Sequence, residues 1–174
     1  MIYIAIGTNI STHLKDAGFD DPATAGIATA IQMAGGVVSG AFFGKLSMKF
    51  GDRTIAQAFV ALFIGLTVLS LGQSVLVLNF IGVFIAGLSL SMVFPQCVFS
   101  ASRYVDSSNS STATSIIACV APGFGGFVSP LVLTSLTVWL GGASTTFRYQ
   151  FIGFLALACA VIFYLTTRNR QKQS

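Results

Sequence analysis

Apolar positions run along this chain in long blocks, without the alternation of a half-buried strand or the one-sided stripe of a soluble helix. A helix needs about 20 mostly apolar residues to cross a hydrocarbon core of about 30 Å. Five blocks approach that length, over 23–46, 55–71, 75–101, 112–140 and 147–167. The block at 55–71 is the shortest, and Gln57 and Gln73 at its flanks can lie at the interface and let it reach. A sixth, partial block opens the chain and predicts a partial helix over 1–12. At about 1.5 Å per residue its apolar part covers about 15 Å, half of the core, so it does not span alone.

The opening lacks the basic residues that precede the apolar stretch of a signal peptide, since no Lys or Arg comes before Lys15. It reads as the far end of a helix whose first half is missing. Transmembrane strands would alternate polar and apolar residues in segments of about ten, and these blocks are apolar on all sides and longer. The expected fold is therefore an all-α integral membrane domain over 1–174, with five complete spans and one partial helix.

Composition sharpens this. Charged residues make up 8% of the chain and hydrophobic ones 54%, and the mean hydropathy of +0.84 lies outside the range of a soluble domain. Basic residues near span ends are retained on the cytoplasmic side. Alternate breaks place Lys45, Lys49, Arg53, Arg103, Arg168, Arg170 and Lys172 on one side, against Lys15 and Arg148 on the other. The breaks at 44–53 and 103–111 and the tail at 168–174 are thus expected in the cytoplasm, with the turns at 11–22 and 141–147 outside. This bias accounts for the net charge of +4 without a nucleic-acid partner.

Candidate chemistry is sparse. The chain has no Glu, and its five Asp residues fall in the breaks, so a buried hydrolase would lack its general base. No enzyme activity and no cofactor are expected. Gly87-Leu88-Ser89-Leu90-Ser91 has only a superficial likeness to a serine nucleophile motif, because its closing glycine is absent. Cys97, Cys119 and Cys159 lie inside spans and read as small apolar packing residues. His13, alone in an outward turn, cannot assemble a metal site and reads as solvated. The uncharged polar residues Asn9, Gln32 and Gln96 are candidates for a substrate cavity, or equally for interhelical hydrogen bonds, as is Asn79.

Two small-residue patterns stand out. Ala28, Gln32, Gly36, Gly40 and Gly44 recur every four residues and predict a helix-packing seam at Gly36, Gly40 and Gly44, either within the chain or between two moving halves. Pro122, Gly123, Gly125, Gly126 and Pro130 crowd one span and predict a helix break centred on Pro122, Gly126 and Pro130.

The break Gly44-Lys45-Leu46-Ser47-Met48-Lys49-Phe50-Gly51-Asp52-Arg53 resembles the cytoplasmic turn G-x-L-x-D-R-x-G-R-K of major facilitator superfamily transporters. Gly44, Leu46, Lys49, Gly51 and Arg53 match; Met48 replaces the Asp, and Asp52 stands at the first Arg of the closing pair. The stretches 87–95 and 123–130, with the basic-residue topology, extend the likeness to the family's C-terminal six-helix half, truncated within its first helix. The resemblance implies secondary active transport of a small solute by alternating access, with H+ or another ion left open as the coupling partner. It also implies a cytoplasmic gating turn at Gly44, Gly51, Asp52 and Arg53, a plasma (inner) membrane location and a cytoplasmic C-terminus. A missing N-terminal half or another subunit would complete the cavity. The opposing expectation is a non-transporting membrane protein that packs on or regulates other helices, or a non-functional truncated product.

Overall fold

The computed structural model describes residues 2–106, 108–139 and 144–171. They form α1 (Ile2–Asp16), α2 (Pro22–Phe50), α3 (Arg53–Leu71), α4 (Leu76–Tyr104), α5 (Ser110–Ser115), α6 (Ala121–Trp139) and α7 (Thr145–Gln171), with a π-helical turn, Ile116–Val120, joining α5 to α6. Five helical stretches are long and apolar enough to cross a membrane: Pro22–Phe50, Arg53–Leu71, Leu76–Arg103, Ser110–Val128 and Thr145–Thr167. The protein is an all-α integral membrane protein, the architecture that satisfies every backbone group within lipid. The span limit expected at 140, the first three residues of the turn at 141–147 and the tail beyond 171 lie outside the described residues.

Local signals account for the helix ends. Asp21 caps α2, its carboxylate accepting the Ala23 N–H at 3.0 Å, and Pro22 follows at the first helical position, where a missing N–H costs nothing. Gly18, at φ +88°, ends α1 and lets the Phe19 N–H return to the Leu14 carbonyl at 2.8 Å. Ahead of Pro122 the helix widens into the π turn at Ile116–Val120 and then runs on to Trp139. Proline has no N–H to return to the preceding turn and its ring crowds the carbonyl four residues back, which a wider turn relieves.

The core is centred on α3, whose Leu62, Leu66 and Leu69 are fully buried against Ala28, Val83, Ala86, Ile152 and Ala156 from α2, α4 and α7. Ile6, Ile10 and Leu14 of α1 join the same cluster. α4 lies between α2 and α3, while α6 touches chiefly α1, α7 and the π turn. Its Phe124, Phe127, Leu131 and Trp139 point away from the rest of the chain.

Close backbone contact joins side-chain packing on both sides of α4. A Cβ on Gly82 would lie 2.8 Å from the Gly65 carbonyl oxygen of α3, and one on Gly65 would lie 2.9 Å from the Gly82 carbonyl oxygen. On the other side, a Cβ on Gly35 would collide with the Phe84 carbonyl, and one on Gly87 with the Gln32 carbonyl. Lipid removes the hydrophobic drive between helices, so such close approach is how they associate. The contact line of α2 runs through Ala28, Gln32, Gly35 and Ser39. Gly36 meets Ser91 Oγ, at 2.7 Å from a built Cβ, whereas Gly40 and Gly44 have no neighbour within 4 Å of theirs.

Gly35→Val should lower the unfolding free energy of the detergent-solubilised protein by about 1–3 kcal/mol through overpacking. Gly40→Ala should change it by less than about 0.5 kcal/mol. Thermal unfolding of both variants checks this; equal losses would refute the assignment of the tight contact to Gly35.

Candidate functional site

The turn between α2 and α3 is only two residues long. α2 continues through Lys45 and Lys49 to Phe50, Gly51 and Asp52 make the turn, and Arg53 opens α3. Gly51 adopts φ +55° and ψ −133°, a conformation that L side chains rarely enter, and its N–H donates to the Ser47 carbonyl at 2.8 Å. No atom lies within 4 Å of a Cβ built there, so backbone conformation and not crowding requires glycine.

Asp52 occupies the N-cap position of α3, yet its side chain makes no capping bond. It turns instead to α4, where Oδ1 accepts from Ser100 Oγ at 2.8 Å and from Gln96 Nε2 at 3.3 Å. Gln96 is fully buried, and its Oε1 accepts from Ser47 Oγ of α2 at 2.8 Å. One amide thus links two helices and the turn, with both of its ends satisfied. Beside this network an open cleft of about 650 Å³ is lined by Phe43, Gly44, Ser47, Lys49, Arg53 and Arg103. The Arg53 guanidinium lies 5.8 Å from the Tyr164 ring centroid and so ties the turn to α7, while Arg103 covers Phe99 at 5.1 Å.

The sequence profile of the Major Facilitator Superfamily matches residues 1–174. The chain belongs to the major facilitator superfamily. Members of that family are transporters, and this is a transporter of the major facilitator type. No curated protein and no solved structure matches the chain.

In this major facilitator chain Gly51, Asp52 and Arg53 come together at the turn, and Gly44 lies one to two helical turns back, on the wall of the cleft. The cavity candidates sit apart. Gln32 is buried where its carbonyl meets Gly87, Gln96 belongs to the Asp52 network, and Asn9 is half-buried on α1. None of the three lines the cleft beneath the turn.

At the opposite end of α4 the structure overturns one expectation. His13 is not a solvated turn residue: α1 continues to Asp16, and the imidazole is fully buried. Its Nε2 lies 3.0 Å from Asn79 Oδ1 of α4 and its Nδ1 3.2 Å from Thr145 Oγ1 of α7. The ring meets Tyr149 edge to face at 4.8 Å, and the Tyr149 hydroxyl donates to the Ile6 carbonyl at 3.4 Å. Asn79 Nδ2 donates to the Gly72 and Val75 carbonyls, each at 3.1 Å, and Thr145 Oγ1 lies 2.9 Å from Asp16 Oδ2. Histidine, Asn79 and Thr145 are far apart in sequence, but the basic-residue topology puts all three at one end of the bundle, and that was the signal available.

Ser100→Ala removes the shorter hydrogen bond to the Asp52 carboxylate, worth about 1.5–3 kcal/mol for a charged acceptor. Hydrogen exchange of the amides of Arg53, Thr54 and Ile55 should accelerate roughly ten- to hundredfold. Unchanged exchange would show that the turn does not depend on α4.

Proposed function

We propose that this chain moves a small solute across the membrane by alternating access, with the α2–α3 turn as a gating clasp. The observation that carries the reading is the Ser47–Gln96–Asp52–Ser100 network. It joins two long membrane helices through a glycine-dependent turn only two residues long. The structure holds the network bonded; in this reading it opens when the halves rock.

In this reading the turn faces the cytoplasm, because Lys45, Lys49, Arg53 and Arg103 gather there, and the C-terminus lies on the same side of a plasma (inner) membrane. The open face of α2 at Gly40 and Gly44, flanked by exposed Met33, Val37 and Phe42, is the seam on which a second six-helix unit slides. Gln32 and Asn9 supply cavity polarity near that seam. Gln96 serves the clasp, and Pro122, Gly126 and Pro130 shape the helix that follows the π turn. The coupling ion would be H+ or another small cation.

The test is solute flux into vesicles that hold the complete protein, measured across a panel of small solutes. A flux that saturates with concentration is expected, since it requires a binding site. Gly40→Trp should slow it by about tenfold, equivalent to about 1.4 kcal/mol on the transport barrier, while membrane insertion is unchanged. Absence of saturable flux for every solute would favour a packing or regulatory partner, and wild-type rates in Gly40→Trp would remove the seam.

A further inference from the structure

Two depressions meet at the start of α3, and their chemistry differs. One is the open cleft of about 650 Å³ at the α2–α3 turn, where Lys49, Arg53 and Arg103 stand. The other, of about 490 Å³, runs between α3 and α7 and is mostly apolar. Phe50 and Arg53 line both, so a basic surface passes directly into a greasy one at the Arg53 side chain.

The sequence spacing builds the groove. On α3 its lining falls at Arg53, Ala56, Gln57 and Val60, and on α7 at Leu157, Ala160, Val161 and Tyr164, the same three-four-seven progression along one face of each helix. Ala56 and Ala160 are buried and offer only a methyl group each, whereas Val60 and Val161 are exposed beside them. The rise from Arg53 to Val60 is about 10 Å at 1.5 Å per residue, which fits within one leaflet of a hydrocarbon core of about 30 Å. A helix from another protein would need a longer face than this; an acyl chain that starts at the level of Arg53 would not.

The charge at the mouth of the groove is positive. Each cation lies against an aromatic ring: Lys49 against Phe50 at 5.3 Å, Arg53 against Tyr164 at 5.8 Å and Arg103 against Phe99 at 5.1 Å. Such contacts fix where a cation stands and leave its charge uncancelled. Among the described residues no carboxylate pairs with Lys49 or Arg103. The carboxylates at this end are Asp52, whose Oδ1 is turned to Ser100 and Gln96 of α4, and Asp106, exposed beyond the end of α4. With Lys45 included, four cations stand against those two anions.

We propose that cleft and groove together bind one anionic phospholipid, with its phosphate in the cleft of Lys49, Arg53 and Arg103 and one acyl chain along the α3–α7 groove. The exposed Gln57, one turn into the groove from Arg53, supplies an amide donor at the level of the glycerol-ester oxygens. A soluble anion would leave the groove unused. A lipid with a choline headgroup would bring a cation to the basic cleft and lose the electrostatic attraction. The site is separate from the transport reading and needs only that the helices span a bilayer.

The test is native mass spectrometry of the full protein in detergent, titrated with phosphatidylglycerol or with phosphatidylcholine, because it resolves the first bound lipid from later ones. Phosphatidylglycerol should bind first and about tenfold more tightly, and Arg53→Gln and Arg103→Gln should each weaken it about three- to fivefold. Lys45→Gln removes an exposed cation of the same end that does not line the cleft, and it should leave the affinity unchanged. Val161→Trp fills the groove from an exposed position, which spares the core, and should weaken phosphatidylglycerol about tenfold, what one or two buried methylenes contribute. Equal affinity for the two lipids would overturn the proposal, as would an affinity that Val161→Trp leaves unmoved. Equal losses in Lys45→Gln and Arg103→Gln would reduce the site to diffuse surface charge, and displacement of the lipid by the deacylated headgroup, glycerophosphoglycerol, would reduce it to a soluble-anion site; either result overturns it.

Discussion

Backbone contact of α4 with both α2 and α3 is the constraint on which the rest of the structure depends. Gly82 against Gly65 fixes one side, and Gly87 and Gly35 against the facing carbonyls fix the other. A helix held at carbonyl distance on two sides cannot rotate or slide by a residue without collision, because packed interiors leave no slack for even one methyl group. That fixes the rotation and height of α4, and hence where its polar groups emerge. Asn79 arrives at the buried imidazole, and Gln96 and Ser100 arrive beside Asp52. About 26 Å of helix separates the two sites at 1.5 Å per residue, nearly the thickness of the hydrocarbon core. The two polar networks are therefore spaced by nearly that thickness along α4.

The helical membrane architecture was legible in the sequence, because it rests on a local signal, the length of the apolar blocks. The α2 contact line was legible only in part. A strict four-residue repeat advances about 40° beyond a full turn at each step of a 3.6-residue helix, so Ala28 and Gly44 end on widely different faces. The structure uses a four-three-four progression, Ala28, Gln32, Gly35 and Ser39, which stays on one side. Gly40 and Gly44 rotate off that line onto the open face. The strict spacing thus recorded two surfaces as one.

His13 was misread for a different reason. Its partners are 66 and 132 residues away in sequence, and nothing within a local window distinguishes a histidine at the end of a buried helix from one in a solvated turn. Gln96 shows the same limit. Its type pointed to a polar role inside the membrane, but only the tertiary arrangement shows that Ser47, Asp52 and Ser100 account for its amide. For Gln96, side-chain chemistry predicted the need for a partner; topology decides which partners it obtains.

The two polar networks share α3 as well as α4. Asp52 stands at the start of α3 and the Leu69 carbonyl in its last turn faces His13, so the helix pair runs from one network to the other. A hydrogen bond of 2.8 Å is lost when its partners part by about 1 Å, whereas a close-packed apolar contact yields gradually. Tilting this rigid pair therefore acts first on the polar links at its ends and only later on the leucine core between them. Spatial continuity of this kind is not itself coupling. It does determine where coupling would be felt: in whether Asp52 keeps Ser100 at one end of the helix pair and whether Thr145 keeps its contacts with Asp16 and His13 at the other.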